Sequence, residues 1–223
     1  MKGEDSINTV NSVLIIGMGR FGRHAAIKMN ELHRQVMAVD KDEKNINAVL
    51  DYVTTARIGD STDEQFLKSL GVNNFDVCIV AIGDDFQSSL ETTCLLKELG
   101  ARRVVARASR ERHEKFLLRN GADEVVYPEK QVAEWTAIRS SSEQVFDYFA
   151  LSDDYAIFEL SVPEDWAGKS LASLDARRKY GVNVLAIKKG ETLNMTVTPD
   201  TVFESGDKML ALGRNDEVMK RFK

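Results

Sequence analysis

The stretch SVLIIGMGRFGRHAAIKM, residues 12–29, constrains the fold more than any other part of the chain. An apolar strand runs into a Gly-x-Gly-x-x-Gly turn formed by Gly17, Gly19 and Gly22, and Ala25, Ala26, Met29 and Leu32 then recur at helical spacing. The glycines allow a tight turn, close approach of the backbone to a pyrophosphate, and close packing of helix on sheet. The helix start adds free amides and a positive dipole end, which favour an anion. A second strand, QVMAVD, ends in Asp40, 18 residues after Gly22, close to the interval at which a carboxylate accepts ribose hydroxyls. Its charge repels a ribose 2′-phosphate, so NADP is disfavoured. Met18, Arg20 and Phe21 inside the turn, and Lys41 beside Asp40, belong to the same candidate nucleotide site. Arg20 either reaches a terminal phosphate, in its own subunit or a neighbour, or is an ordinary surface arginine.

Around this unit short apolar runs alternate with amphipathic stretches, the pattern of a parallel sheet wrapped by helices. SVLII, QVMAVD, TTARIGD, DVCIVAIG, RRVVARA and EVVYP read as strands, with helices near 20–32, 42–52, 63–70, 85–99 and 110–120. Gly71, Gly100 and Gly121 follow periodic segments and suit left-handed helix ends. The expected fold is α/β, a Rossmann-like doubly wound parallel sheet over residues 1–130. The segment KQVAEWTAIRSSSEQVFDYFA has an apolar stripe through Val132, Trp135, Ile138, Val145 and Phe149, and reads as a crossover helix over 131–150. Its Trp135, Phe146 and Phe149 either anchor an assembly surface or pack within the chain. A small α+β domain over 151–223 follows, with strands at DYAIFELSV, GVNVLAIKKG, TLNMTV and DKMLALG, a helix around 170–180 and a closing segment NDEVMKRFK.

Composition removes several classes. A hydrophobic fraction of 43% with 29% charged residues is that of an ordinary globular protein. The net charge of −5 and the interleaving of Lys and Arg with Asp and Glu argue against a nucleic-acid polymer as partner. Apolar runs such as VCIVAI fall far short of the ~20 residues of a membrane span. The polar start MKGEDSINTV lacks the apolar core of a signal peptide, so a cytoplasmic protein is expected. Cys78 and Cys94 sit in apolar surroundings and read as buried, reduced thiols.

Further candidates fall where strands end, the place ligands occupy in open α/β sheets. Asp60 and Ser61 of GDSTDE either meet an adenine or cap the next helix; Ala81, Ile82 and Gly83 offer a wall against a nucleotide; Arg107 either points at the same crevice or is a solvated arginine. Hydride transfer needs a proton donor or acceptor beside its substrate. His24 and His33 lie on the first helix and His113 on a charged one, all reading as surface residues, and no metal, nucleophile-elbow or P-loop motif occurs. The pocket reads as a sensor and not as a reaction chamber. A small NAD-dependent oxidoreductase is the competing reading, and a redox-sensing transcription factor would need a basic recognition helix.

Taken in order, IIGMGRFG, AVD, GDSTDE, VAIGDD, YPEK, RRKYGVNVLAIKKGE and GDKMLALG resemble the RCK family, specifically the KtrA/TrkA-type regulatory subunits of bacterial potassium uptake systems. The resemblance covers nearly the whole chain and implies an RCK-N domain followed by an RCK-C domain. It implies dimers assembled into an octameric ring at the inner face of the membrane, under a potassium-translocating subunit. The implied ligands are ATP and ADP, or NAD(H), with Arg20 sensing the terminal phosphate across the dimer. Glu129 matches a position associated with a divalent or monovalent cation near the phosphates, and Arg107 stands where the family often has Lys. Some relatives bind cyclic di-AMP through the second domain, and Arg177, Asn183 and Pro199 match those positions.

Overall fold

A computed structural model describes residues 10–222, and the polar start of the chain lies outside the described residues. The chain divides into two compact units with the break between Glu129 and Lys130. In the first unit β1 (Ser12–Ile16), β2 (Gln35–Asp40), β3 (Thr55–Ile58), β4 (Val77–Val80), β5 (Val104–Arg107) and β6 (Glu124–Val126) form one sheet in the order β3-β2-β1-β4-β5-β6. Every adjacent pair is parallel. The connections carry α1 (Arg20–Glu31), α2 (Glu43–Asn47), α3 (Glu64–Leu70), α4 (Phe86–Glu98) and α5 (Glu111–Arg119). This is the expected doubly wound sheet, and its strand order reverses between β1 and β4, where such folds bind ligands.

Strand β1 shows why the central runs are apolar throughout. Val13 and Ile15 pack with Ala26 of α1, while Leu14 and Ile16 join Leu67 of α3, Leu96 of α4 and Leu117 of α5. Alternate side chains point to opposite faces, and both faces are covered, so neither parity can be polar. The helix expected over 42–52 is α2 followed by a separate 3-10 turn, Leu50–Tyr52. Its short length accords with Asn45 and Asn47, poor helix formers.

The second unit begins within α6 (Pro128–Ser140), the helix that crosses the break. Its strands are β7 (Val145–Ala150), β8 (Tyr155–Ser161), β9 (Val182–Lys189), β10 (Thr192–Asn194) and β11 (Lys208–Arg214), ordered β10-β9-β11-β8-β7. All its adjacent pairs are antiparallel. The helices are α7 (Leu171–Leu174), α8 (Ala176–Tyr180) and α9 (Asn215–Arg221). The core gathers Trp166, Phe158, Phe203 and Phe222, all fully buried.

The crossover helix expected over 131–150 is therefore corrected: helix stops at Ser140 and the remainder is β7. Serine side chains end it, since Ser141 Oγ donates to the Ile138 carbonyl and Ser142 Oγ accepts from the Gln144 amide. The apolar stripe also dissolves. Val145 is buried and Phe149 is 66% exposed, because a bulge between Val145 and Asp147 shifts the register. The helix expected around 170–180 is broken into α7 and α8 at Asp175, whose φ is 49°.

Two predictions follow from the packing of the first unit. A Cβ on Gly22 would fall 1.9 Å from the Gly17 carbonyl oxygen, so Gly22→Ala should destabilise the unit by about 2 kcal/mol or more, measured by denaturant titration. Cys78 is buried, and burial pushes its thiol up to about 12. Cys94, expected to be buried, is only half-buried, with its Sγ 3.5 Å from Glu98 Oε1. A thiol reagent at pH 8 should label Cys94 in the native protein and reach Cys78 only after unfolding.

Candidate functional site

The turn after β1 is held open by its neighbours. Gly17 has φ 95°, and a side chain there would meet Ile82 N at 3.1 Å. Gly22 lies beneath the turn, buried against Gly17 and Ala81. Gly19 has open space where a side chain would start, and it is the N-cap of α1, with no side-chain hydrogen bond to the helix start. The helices behind the next three strands differ: Asp42 caps α2, Asp63 caps α3 and Asp85 caps α4 through backbone amides. An uncapped helix end with a bare approach is a place for an anion.

Asp40, at the end of β2, is tied to this turn. Its Oδ2 accepts from the Met18 amide at 2.6 Å and from Asn45 Nδ2 at 3.2 Å, and its Oδ1 accepts from the Asp42 amide at 2.8 Å. A carboxylate has about four acceptor sites, so capacity remains for a hydroxyl.

These elements open onto a cleft of about 620 Å³. Gly17, Gly19, Arg20, Phe21, Asp40 and Lys41 line it, as do Asp60, Ser61, Ala81, Ile82, Gly83, Arg107 and Glu129. The structure thus brings together nearly all the residues singled out around the glycine turn. Met18 and Gly22 stand outside the lining: Met18 is fully buried and contributes its amide to Asp40, and Gly22 contributes the close packing. Asp60 accepts from Thr62 N and Thr62 Oγ1, and these bonds hold its carboxyl below the usual range. It does not cap α3, a role that Asp63 fills. Ser61 is buried, with its Oγ 2.8 Å from Thr92 Oγ1.

Charge divides the cleft into two neighbourhoods. At one, Arg107 Nη2 donates to Glu129 Oε1. Burial pushes the Glu129 carboxyl up, but its own amide, Arg107 and the charge of Arg20 outweigh this and leave it below the usual carboxylate range. At the other, Lys41 acts on both Asp60 and Asp85. Bonds from the Ser88 hydroxyl and amide hold Asp85 low. Among the described residues no group of three His, Cys, Asp or Glu side chains converges on a metal position. A cation at Glu129 would thus take most of its shell from ligand oxygens or water.

Several lining residues escaped sequence reasoning. His24 lines the cleft one helical turn after Arg20, Asn45 lies five residues after Asp40, and Asp84, Asp85 and Ser88 follow Gly83. His24 was open to discovery from its i, i+4 spacing to Arg20. His113, expected to be a surface residue without a partner, stacks on Phe86 with centroids 3.8 Å apart and has Nδ1 3.2 Å from Ser109 Oγ. Burial and the charge of Arg110 push its pKa down. In the second unit Arg177 is on α8, Asn183 on β9 and Pro199 in the loop after β10, all exposed.

The TrkA-N domain model matches residues 13–128 and the TrkA-C domain model residues 156–223. Ktr system potassium uptake protein C of Bacillus subtilis (strain 168) is 39% identical, over 92% of this chain and 93% of that protein. Ktr system potassium uptake protein A of the same organism is 38% identical over 93% of each. A solved structure of the GsuK channel bound to NAD shares the fold with a TM-score of 0.64, at 18% identity over 95% of this chain and 38% of that one. With both domain models matched in order and relatives of this identity along nearly the whole length, the chain belongs to the family that joins a TrkA-N domain to a TrkA-C domain.

Proposed function

We propose that this chain is the nucleotide-sensing regulatory subunit of a potassium uptake system, gating a membrane potassium-translocating partner through the ligand held in the cleft. The observation that carries the reading is the uncapped start of α1 facing a cleft that also holds Asp40 and Arg20, in a chain related throughout to Ktr potassium uptake proteins. ATP and ADP are the assigned ligands, with NAD(H) as the alternative occupant. Gly17, Gly19 and the first amides of α1 take the phosphates, and Asp40 accepts from the ribose. Arg20 and Glu129 respond to the terminal phosphate, Glu129 by way of a cation that the phosphate oxygens help to hold. No turnover is assigned: the ligand is read, not converted.

Gating then depends on differential affinity, because a ligand moves an equilibrium only by binding one state better than the other. Turning 1:99 into 99:1 takes about 5.5 kcal/mol, or about 0.7 kcal/mol per site over the roughly eight sites of an octameric ring. That is on the order of one weak hydrogen bond gained or lost with a terminal phosphate. The reading places the ring at the cytoplasmic face of the membrane through its partner.

Calorimetric titration of the size-fractionated protein with ATP, ADP, NADH and cyclic di-AMP tests the assignment; the last probes Arg177, Asn183 and Pro199. ATP and ADP should bind with different affinity or enthalpy and without product. Tight NADH binding with no response to ATP would favour the oxidoreductase reading. Arg20→Ala should bring the two affinities together, removing a preference of about threefold; full discrimination in that variant would remove Arg20 from the role. Light scattering at micromolar concentration should give a multimer, and a monomer would contradict the ring.

A further inference from the structure

The pair formed by Arg107 and Glu129 joins two features of the cleft with the helix that leaves it. Arg107 is the more enclosed cation there, with its side chain 17% exposed. Its guanidinium lies over Gly83, where an ideal Cβ would come within 2.2 Å of Nη1, so this placement depends on glycine. Cζ stands 5.8 Å from the centre of the Phe21 ring inside the glycine turn. Its Nε is buried without a partner, so the guanidinium keeps donor capacity beyond the bond to Glu129. Glu129, whose side chain is 55% exposed, is the second residue of α6. No residue of α6 is buried, and the chain passes from the first unit to the second within this helix.

An ion pair with one partner half-exposed is weak, whereas a phosphate offers a guanidinium several charged oxygens in bidentate geometry. We propose that, when no cation is bound, Glu129 is the built-in competitor of the ligand for Arg107: a phosphate entering the cleft takes Arg107 over, the first turn of α6 loses its tether to β5, and Glu129 is freed for the cation. The inference rests on the reading of the cleft as a nucleotide site and assigns that site a means of regulation. Arg107 thereby acts as a phosphate-binding residue in the filled cleft and as a positioning residue for α6 in the empty one.

The test is a double-mutant cycle on ATP binding, measured by calorimetry in EDTA so that no divalent cation takes part. Glu129→Gln should tighten ATP about threefold, what the loss of one weak ion pair can release, and Arg107→Gln should weaken it about tenfold. In the Arg107→Gln background the Glu129→Gln change should have almost no effect. Equal tightening with and without Arg107 would mean plain charge repulsion and overturn the proposal, as would no tightening at all. Failure of the wild-type chain to bind ATP, ADP or NADH would instead overturn the nucleotide reading itself. Trp135, further along α6, gives a second readout. ATP should shift its emission in the wild type, and ligand-free Arg107→Gln should already show the shifted value, with the signal lost in Trp135→Phe. An unchanged emission in both would overturn the release of α6.

Discussion

The close approach of α1 to the end of β1, at Gly22 against the Gly17 carbonyl, is the contact on which the rest of the first unit depends. It sets the helix start directly over the strand end. From there the Met18 amide reaches Asp40 and joins the turn after β1 to the end of β2. It also lets Ala26 settle on Val13 and Ile15. The packing that builds one face of the sheet and the geometry that shapes the cleft are therefore a single arrangement, and neither can change without the other.

Local rules are broken around the cleft and kept elsewhere. Arg20 occupies the first turn of α1, which has no acidic residue, although the positive end of a helix dipole disfavours a cation. Arg107 is drawn largely out of water with a buried, unpartnered Nε. Such conflicts concentrate where a chain is shaped for a ligand and not for stability alone. By contrast Asp76, remote from the cleft, accepts from Asn11 N, Ser12 N and Arg102 Nη1, a closed set of bonds that only secures the start of β1.

Much of this was legible because two signals coincided. Long apolar runs gave the parallel strands, and the glycine spacing fixed where the first helix starts; together they placed Gly17, Gly19, Arg20 and Asp40 at one site. The reading failed where one spacing fits two structures. Val145 and Phe149 are four apart and suit a helix face, yet they belong to a bulged strand whose pairing with β8 is invisible locally. His24 and Asn45 were missed because their helices carry them to the cleft by turn geometry that no motif records. Arg177, Asn183 and Pro199 were named from family resemblance alone, and physical spacing says nothing of them.

The capping pattern fixes something further. Three of the four helices that start behind β1 to β4 already have their first amides engaged by Asp42, Asp63 and Asp85, and of these carboxylates Asp85 lines the cleft and adds negative potential there. Of these four, α1 alone has no side-chain cap. For the proposed nucleotide this favours one sense of entry, phosphates toward Gly19 and the neutral head toward the lining carboxylates Asp60 and Asp85. On the proposed nucleotide reading, the direction in which the ligand lies follows from where side-chain caps are present and where they are missing, so substitutions elsewhere around the cleft would alter which head is accepted without reversing its direction.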